Sequence, residues 1–124
     1  MKVLVVVEDD QDMQLLIELT LQTDSRLEIS GCCATAAAAV DLARDVQPGL
    51  VILDHFIDGD VMGLDAAPAI KQAAPDARVL LFTSHDLQVE AGREPAIDEF
   101  LLKRDITELM PTVHRLLGLE PLAA

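Results

Sequence analysis

The sequence has no tryptophan, no tyrosine and only three phenylalanines in 124 residues. Its core cannot be organised around large rings, so Val, Leu, Ile and Ala must supply it from the 51% of the chain that is apolar. Basic residues are scarce as well: nine Lys and Arg stand against 22 Asp and Glu, a formal net charge of -13. That balance argues against nucleic acid or an anionic membrane as a direct partner, because the phosphates would repel the chain. It fits partners with basic surfaces and a site that attracts a cation. Long hydrophobic runs are missing too. The run Val3-Leu4-Val5-Val6-Val7 meets Glu8-Asp9-Asp10 at once, too short for a signal peptide, and nothing later approaches a membrane span. The two cysteines are adjacent, Cys32-Cys33. Neighbouring strand side chains point to opposite faces, so two small buried hydrophobes are expected rather than a disulfide. Together these absences predict a reduced, cytoplasmic, untargeted chain. Its length suits a single domain with a proper core, expected over 1–119 with a short tail over 120–124.

What is present alternates with regularity. Residues 3–7 and Leu50-Val51-Ile52-Leu53 are all-apolar, β-branched runs, the mark of strands covered on both faces. Leu27 to Cys33, Arg78 to Phe82 and Phe100 to Leu102 read as three further strands. Between them lie helical patterns. The first places Met13, Leu16, Ile17, Leu19 and Leu21 among polar residues, with Asp10 or Asp12 to cap it. Thr35 offers an N-cap for an Ala-rich helix from Ala36 to Val46, and Gly63 opens a third that runs to Ala74, with Pro68 near its first turn. Residues 86–94 make the weakest element, because Gly92 and Pro95 punctuate it. Asp105 with Glu108 resembles a capping box for a last helix through Leu109, Val113 and Leu116, and Gly118 is its stop signal. Five strand–helix pairs in strict alternation imply a doubly wound α/β fold with a five-stranded parallel sheet.

The chemistry collects where the strands stop. The first ends at Glu8-Asp9, the third at Asp54, the fourth at Thr83-Ser84 and the fifth at Lys103. In a doubly wound sheet these ends share one edge, where ligands bind beside the topological switch point. Three carboxylates there are in conflict, since two unit charges about 4 Å apart repel by roughly 4 kcal/mol at the effective dielectric of a protein surface. A hard divalent cation such as Mg2+ resolves it, taking one or two carboxylates, a carbonyl, waters and a phosphate oxygen. Asp54 is then a candidate nucleophile for an aspartyl-phosphate, with Lys103 and Thr83 to meet phosphoryl oxygens.

With these residues in order, the chain resembles the receiver domains of two-component response regulators over nearly its whole length. The likeness rests on Val5-Val6-Val7-Glu8-Asp9, Leu53-Asp54, Phe82-Thr83-Ser84 and Phe100-Leu101-Leu102-Lys103. It implies a flavodoxin-like (βα)5 fold with strand order 2-1-3-4-5. It implies Mg2+-dependent transfer of a phosphoryl group to Asp54 from a sensor histidine kinase or a phosphotransferase protein. By the same likeness Asp9 is the main metal ligand, Glu8 helps through water and Phe56 lends its backbone carbonyl. Thr83 and Phe100 match the switch pair. Output would be protein–protein contact with a downstream target, as a monomer or a homodimer, and the chain would be an enzyme only in its own phosphorylation and dephosphorylation. The rivals are a degenerate receiver acting as a phosphorylation-independent interaction module and a phosphatase. The phosphatase wants a second acid two residues past Asp54, where Phe56 stands.

Several positions depart from the family pattern. The loop 55–62 lacks the usual Met-Pro and is one residue longer, and Asp58 and Asp60 within it read as solvated acids. Arg104 replaces the Pro that follows the lysine, which removes the expectation of a cis peptide there. The interval from Thr83 to Lys103 is about two residues short, which again points to a stunted fourth helix. Of the three histidines, His55 is expected to pack as a structural residue, His85 is a candidate for the rim of the site, and His114 belongs to the last helix, away from it.

Overall fold

A computed structural model of the chain describes residues 1–122. The strands are β1 (Lys2–Val7), β2 (Leu27–Cys33), β3 (Leu50–Leu53), β4 (Arg78–Thr83) and β5 (Glu99–Leu102). All pair in parallel, in the order β2-β1-β3-β4-β5. The connecting helices are α1 (Gln11–Leu21), α2 (Ala36–Val46), α3 (Gly63–Ala73), α4 (Gln88–Gly92) and α5 (Leu109–Leu117). This is the doubly wound sheet that the alternation of strands and helices implied, in the flavodoxin-like strand order that the resemblance implied. Among the described residues no helix is long and apolar enough to cross a membrane.

Alternation along the central strands explains why they carry almost no polar residue. On one face Val5, Val7, Val51, Leu53, Val79 and Leu81 pack under α2 and α3, which meet them with Ala39, Ala43, Ala66, Ala67 and Ile70. On the other face Leu4, Val6, Leu50, Ile52, Leu80 and Phe82 pack under α1 and α5, through Ile17, Leu21, Leu109 and Val113. Each buried Val, Leu, Ile or Phe side chain among them contributes about 1.5–3 kcal/mol. Small alanines on α2 and α3 bring those helices close to the sheet and to each other.

Local signals set most boundaries. Asp10 caps α1 by accepting from Asp12 N, and Thr35 Oγ1 accepts from Ala38 N at the start of α2. Gly118, at φ 68, ends α5 in the left-handed conformation that glycine adopts freely. Helix α4 is only five residues long, as Gly92 and Pro95 foretold. Three expectations need correction. The Asp105–Glu108 capping box does not form: β5 runs into a 3-10 turn over Lys103–Glu108, Asp105 sits at φ -95 and ψ 37, and α5 starts at Leu109 without a side-chain cap. The i→i+3 bonds of the turn occupy the backbone that a capping box would have served. Pro68 falls in the second turn of α3 rather than the first. The cysteines are half-buried, not buried, and both are free. They do face opposite ways, Cys33 toward α2 and α3 and Cys32 toward α1, where its thiol donates to Glu18 Oε1 at 3.0 Å. Burial pushes the Cys32 thiol up to about 12 and that of Cys33 to about 11.

The far end of the molecule is held by a charged clasp. Asp24, in the turn before β2, takes the Arg26 guanidinium at 2.8 Å and His114 Nε2 of α5 at 2.8 Å, and Arg26 also donates to the carbonyl of Glu120. Of the expected tail, residues 123–124 lie outside the described residues. The hydrogen bond from Arg26 holds the Asp24 carboxyl well below the usual carboxylate range. A folded-state pKa below the unfolded one stabilises the protein above the unfolded value, and that stability is lost as pH falls toward the folded one. Asp24→Asn is therefore expected to lower the melting temperature near pH 7 and to shrink the further drop between about pH 4 and pH 2. Thermal unfolding followed by circular dichroism across that range checks both, and an unchanged acid slope would contradict the clasp.

Candidate functional site at the carboxyl edge of the sheet

Strand register brings the acids together. Val7 lies beside Leu53 in the β1–β3 pair, so the next residue of each strand, Glu8 and Asp54, leaves the sheet at the same level. Backbone bonds extend the sheet past that point, Asp54 N donating to Val7 O and Glu8 N to Cys33 O. Thr83 ends β4 opposite Leu102 of β5, which delivers Lys103 next. The site is thus assembled from four strand ends by pairing alone.

Burial makes it a strained electrostatic arrangement. Glu8 is 1% exposed and Asp54 5% exposed, while Asp9 lies at the surface. Carboxylate oxygens of Glu8, Asp9 and Asp54 all come within 4.8 Å of one another. Lys103 Nζ donates to Asp54 Oδ2 at 2.9 Å and approaches Glu8 Oε1 at 2.7 Å, an ion pair by distance that lacks the angles of a hydrogen bond. Burial, reinforced by the charge of Asp54, pushes the Glu8 carboxyl up to about 7. Burial alone would pull the Lys103 ammonium down, but its contacts with Glu8 and Asp54 outweigh this and leave it above its ordinary value. One cation among three acids leaves an uncompensated negative charge, and hard oxygen donors at this spacing suit Mg2+.

The other predicted residues fall around this centre. Thr83 is fully buried and its Oγ1 has no hydrogen-bond partner, an unusual state for a hydroxyl. Phe100 is half-buried against the core on the α4 side of the sheet. The Phe56 ring is 41% exposed and packs between two imidazoles, edge-on to His55 at 4.8 Å and tilted on His85 at 4.5 Å. His85 thus lies against Phe56, two residues past Asp54. Asp58 and Asp60 are exposed and outside the acidic cluster, and His114 belongs to the clasp at the opposite end. No peptide bond among the described residues is cis, including the one before Arg104.

Three supporting contacts were not legible from residue types. Gln14 of α1 donates to the Glu8 carbonyl. His55 Nδ1 accepts from Leu64 N. A Cβ on Gly63 would lie 1.9 Å from the Asp54 carbonyl oxygen, so α3 begins in direct contact with the residue at the centre of the site. The position of Gly63 ahead of a helical pattern was the only sequence signal for that contact.

The sequence profile of the response regulator receiver domain matches residues 4–114. The chain belongs to the receiver family. Among relatives, the response regulator protein VraR of Staphylococcus aureus is 31% identical over 115 residues, covering 88% of this chain and 54% of that protein. This receiver therefore spans about half the length of that relative. The response regulator protein TrrA of Thermotoga maritima, solved in complex with Mg2+-BeF, superposes with a TM-score of 0.81 at 28% identity, over 94% of this chain and 100% of that one. The response regulator domain of Thermotoga maritima CheB shares the fold with a TM-score of 0.82 at 17% identity, over 97% and 98% of the two chains. Receivers are the signalling modules of two-component systems rather than conventional enzymes, and they bind Mg2+ at an acidic pocket.

Gly63→Ala tests the tight packing behind Asp54. Overpacking against backbone is expected to destabilise the protein by about 1–3 kcal/mol, read as a lower midpoint in urea. A midpoint equal to that of the wild type would mean the contact is slack.

Proposed function

We propose that this receiver is a phosphoryl-accepting switch of a two-component phosphorelay. The unit carrying it is residues 1–119, with 120–124 as a tail. The observation that carries the reading is the pairing of Asp54 with Lys103, beside a buried Thr83 hydroxyl that has nothing to bond. An idle buried donor near a lysine and a carboxylate makes sense as a receptor for oxygens that arrive later.

Glu8, Asp9, Asp54 and the backbone carbonyl of Phe56 would hold Mg2+. When bound, the ion supplies positive charge that neutralises the acids and the phosphoryl oxygens. Asp54 acts as the nucleophile toward the phosphorus of a phosphohistidine on a sensor kinase or phosphotransferase. A bond forms between a carboxylate oxygen and phosphorus as the phosphorus–nitrogen bond breaks, and the released electron pair returns to the imidazole, which takes up a proton. Lys103 exchanges its carboxylate contact for a phosphoryl oxygen, and the Thr83 hydroxyl donates to another. Movement of Thr83 and Phe100 then alters the face of α4, β5 and α5, and the signal passes on by protein–protein contact. Hydrolysis of the acyl phosphate by water resets the switch.

Incubation with acetyl phosphate and Mg2+ tests this directly. Intact-mass measurement is expected to show one added phosphoryl group, absent in Asp54→Ala. An adduct that survives in Asp54→Ala would place the chemistry elsewhere. No adduct and no beryllofluoride binding by the wild type would favour the phosphorylation-independent interaction module.

Phe56 adds a second expectation. Its bulk, two residues past Asp54 and packed on His85, would impede water at Asp54, so the phosphorylated state should be long-lived. Phe56→Asn is expected to lose the phosphoryl group severalfold faster in a decay assay, and decay that is unchanged or slower would refute the shielding role.

A further inference from the structure

His55 touches both sides of the loop that follows Asp54. Its backbone N–H donates to Asp54 Oδ1 at 2.7 Å, and its carbonyl accepts from Gly63 N at 2.7 Å. Its ring Nδ1 accepts from Leu64 N at 3.2 Å. That last bond does the work of a helix cap. Met62, the residue before α3, makes no side-chain cap bond, and an α-helix otherwise leaves its first N–H groups unpaired. To accept, Nδ1 must offer its lone pair, which an imidazole does in the tautomer that carries its proton on Nε2. Phe56 packs edge-on against the imidazole, at an interplanar angle of 84°, and fixes its plane.

We propose that His55 is a positioning residue for phosphoryl transfer: by accepting from Leu64 N, its ring ties the start of α3 to Asp54 and holds the carboxylate in place. The proposal rests on the receiver reading above. The need for such a tie follows from the loop. Residues 55–62 contain no proline, Asp58 to Met62 are exposed, and Gly59 takes φ +94. Fixing the ends of such a segment costs chain entropy. The place where they meet has no slack, since Gly63 lies against the Asp54 carbonyl. Gly63 N to His55 O is the one backbone bond between the two ends, Asp58 N being tied instead to Ala34 O. The imidazole adds a side-chain bond to the first turn of α3, whose later turns pack on the core through Ala66, Ala67 and Ile70. Without it, Leu64 N loses its partner and the Asp54 carboxylate gains freedom to rotate away from Lys103. Small misplacements of a nucleophile are costly, up to about a hundredfold in rate for about 1 Å.

The test compares His55→Leu with His55→Asn in the whole chain. Asn carries an acceptor oxygen at the branch where His carries Nδ1, whereas Leu fills similar space with none. Phosphorylation by acetyl phosphate is followed against donor concentration, with melting temperature measured alongside. His55→Leu is expected to lower the maximal rate by about tenfold or more with a smaller change in the donor concentration at half-maximal rate. His55→Asn is expected to restore most of that loss, and nitrogen-15 spectra of the wild type should show the proton on Nε2. A Leu variant as fast as the wild type, an Asn variant as slow as Leu, or a proton on Nδ1 would each overturn the positioning role. Equal, measurable rates in all three proteins overturn it alone, whereas a wild type that takes no phosphoryl group overturns the receiver reading together with it.

Discussion

Everything at the carboxyl edge of the sheet answers to the presence of three acids in a space served by one lysine. Glu8 and Asp54 are withdrawn from water, and Lys103 reaches both. Removing charges from solvent costs several kcal/mol per ion unless partners offset it, and a single ammonium cannot offset it for both Glu8 and Asp54. The protein meets the remainder in part by raising the proton affinity of Glu8 toward neutrality. Such a site is poised: a divalent cation relieves it, and a group bearing several oxygens gives the cation and the lysine something further to hold.

That poise depends on the sheet being inert. The inner strands carry apolar side chains on both faces, so polar groups are driven to the strand ends, and parallel pairing gathers those ends on one side. Register does the fine placement, setting Glu8 next to Asp54 and Thr83 next to Leu102. The alanines of α2 and α3, with Ile17 and Leu21 of α1 and Leu109 and Val113 of α5, seal the two faces and leave the edge for chemistry.

Most of this was legible in the chain because apolar runs and their terminating residues are local signals. Leu50 to Leu53 could only be a buried strand, and Thr35 before four alanines could only open a helix. Glu8, Asp9, Asp54 and Lys103 were grouped from strand ends alone, and the geometry does gather them. The misreadings arose where two local codes competed. Asp105 and Glu108 have the spacing of a capping box, but the chain leaves β5 in a 3-10 turn that claims the same backbone. The partners of His55 were beyond reach for a different reason: an imidazole accepting from the N–H of Leu64, nine residues on, leaves no pattern in residue type.

The lysine that balances the acids follows directly on the last strand, 49 residues after Asp54. Sheet order makes β1 and β3 neighbours, so the centre of the sheet could form as soon as β3 has been synthesised, with Glu8 and Asp54 already side by side. At that stage both acids would face each other without a counter-charge, and the outer side of β3 would stay unpaired until β4 arrives. Partial folds are thus penalised by repulsion, and the arrival of β5 with Lys103 behind it relieves that repulsion. The same residue that balances the acids of the finished protein also favours all-or-none assembly, and a nascent chain stalled before residue 103 would carry those acids without their counter-charge.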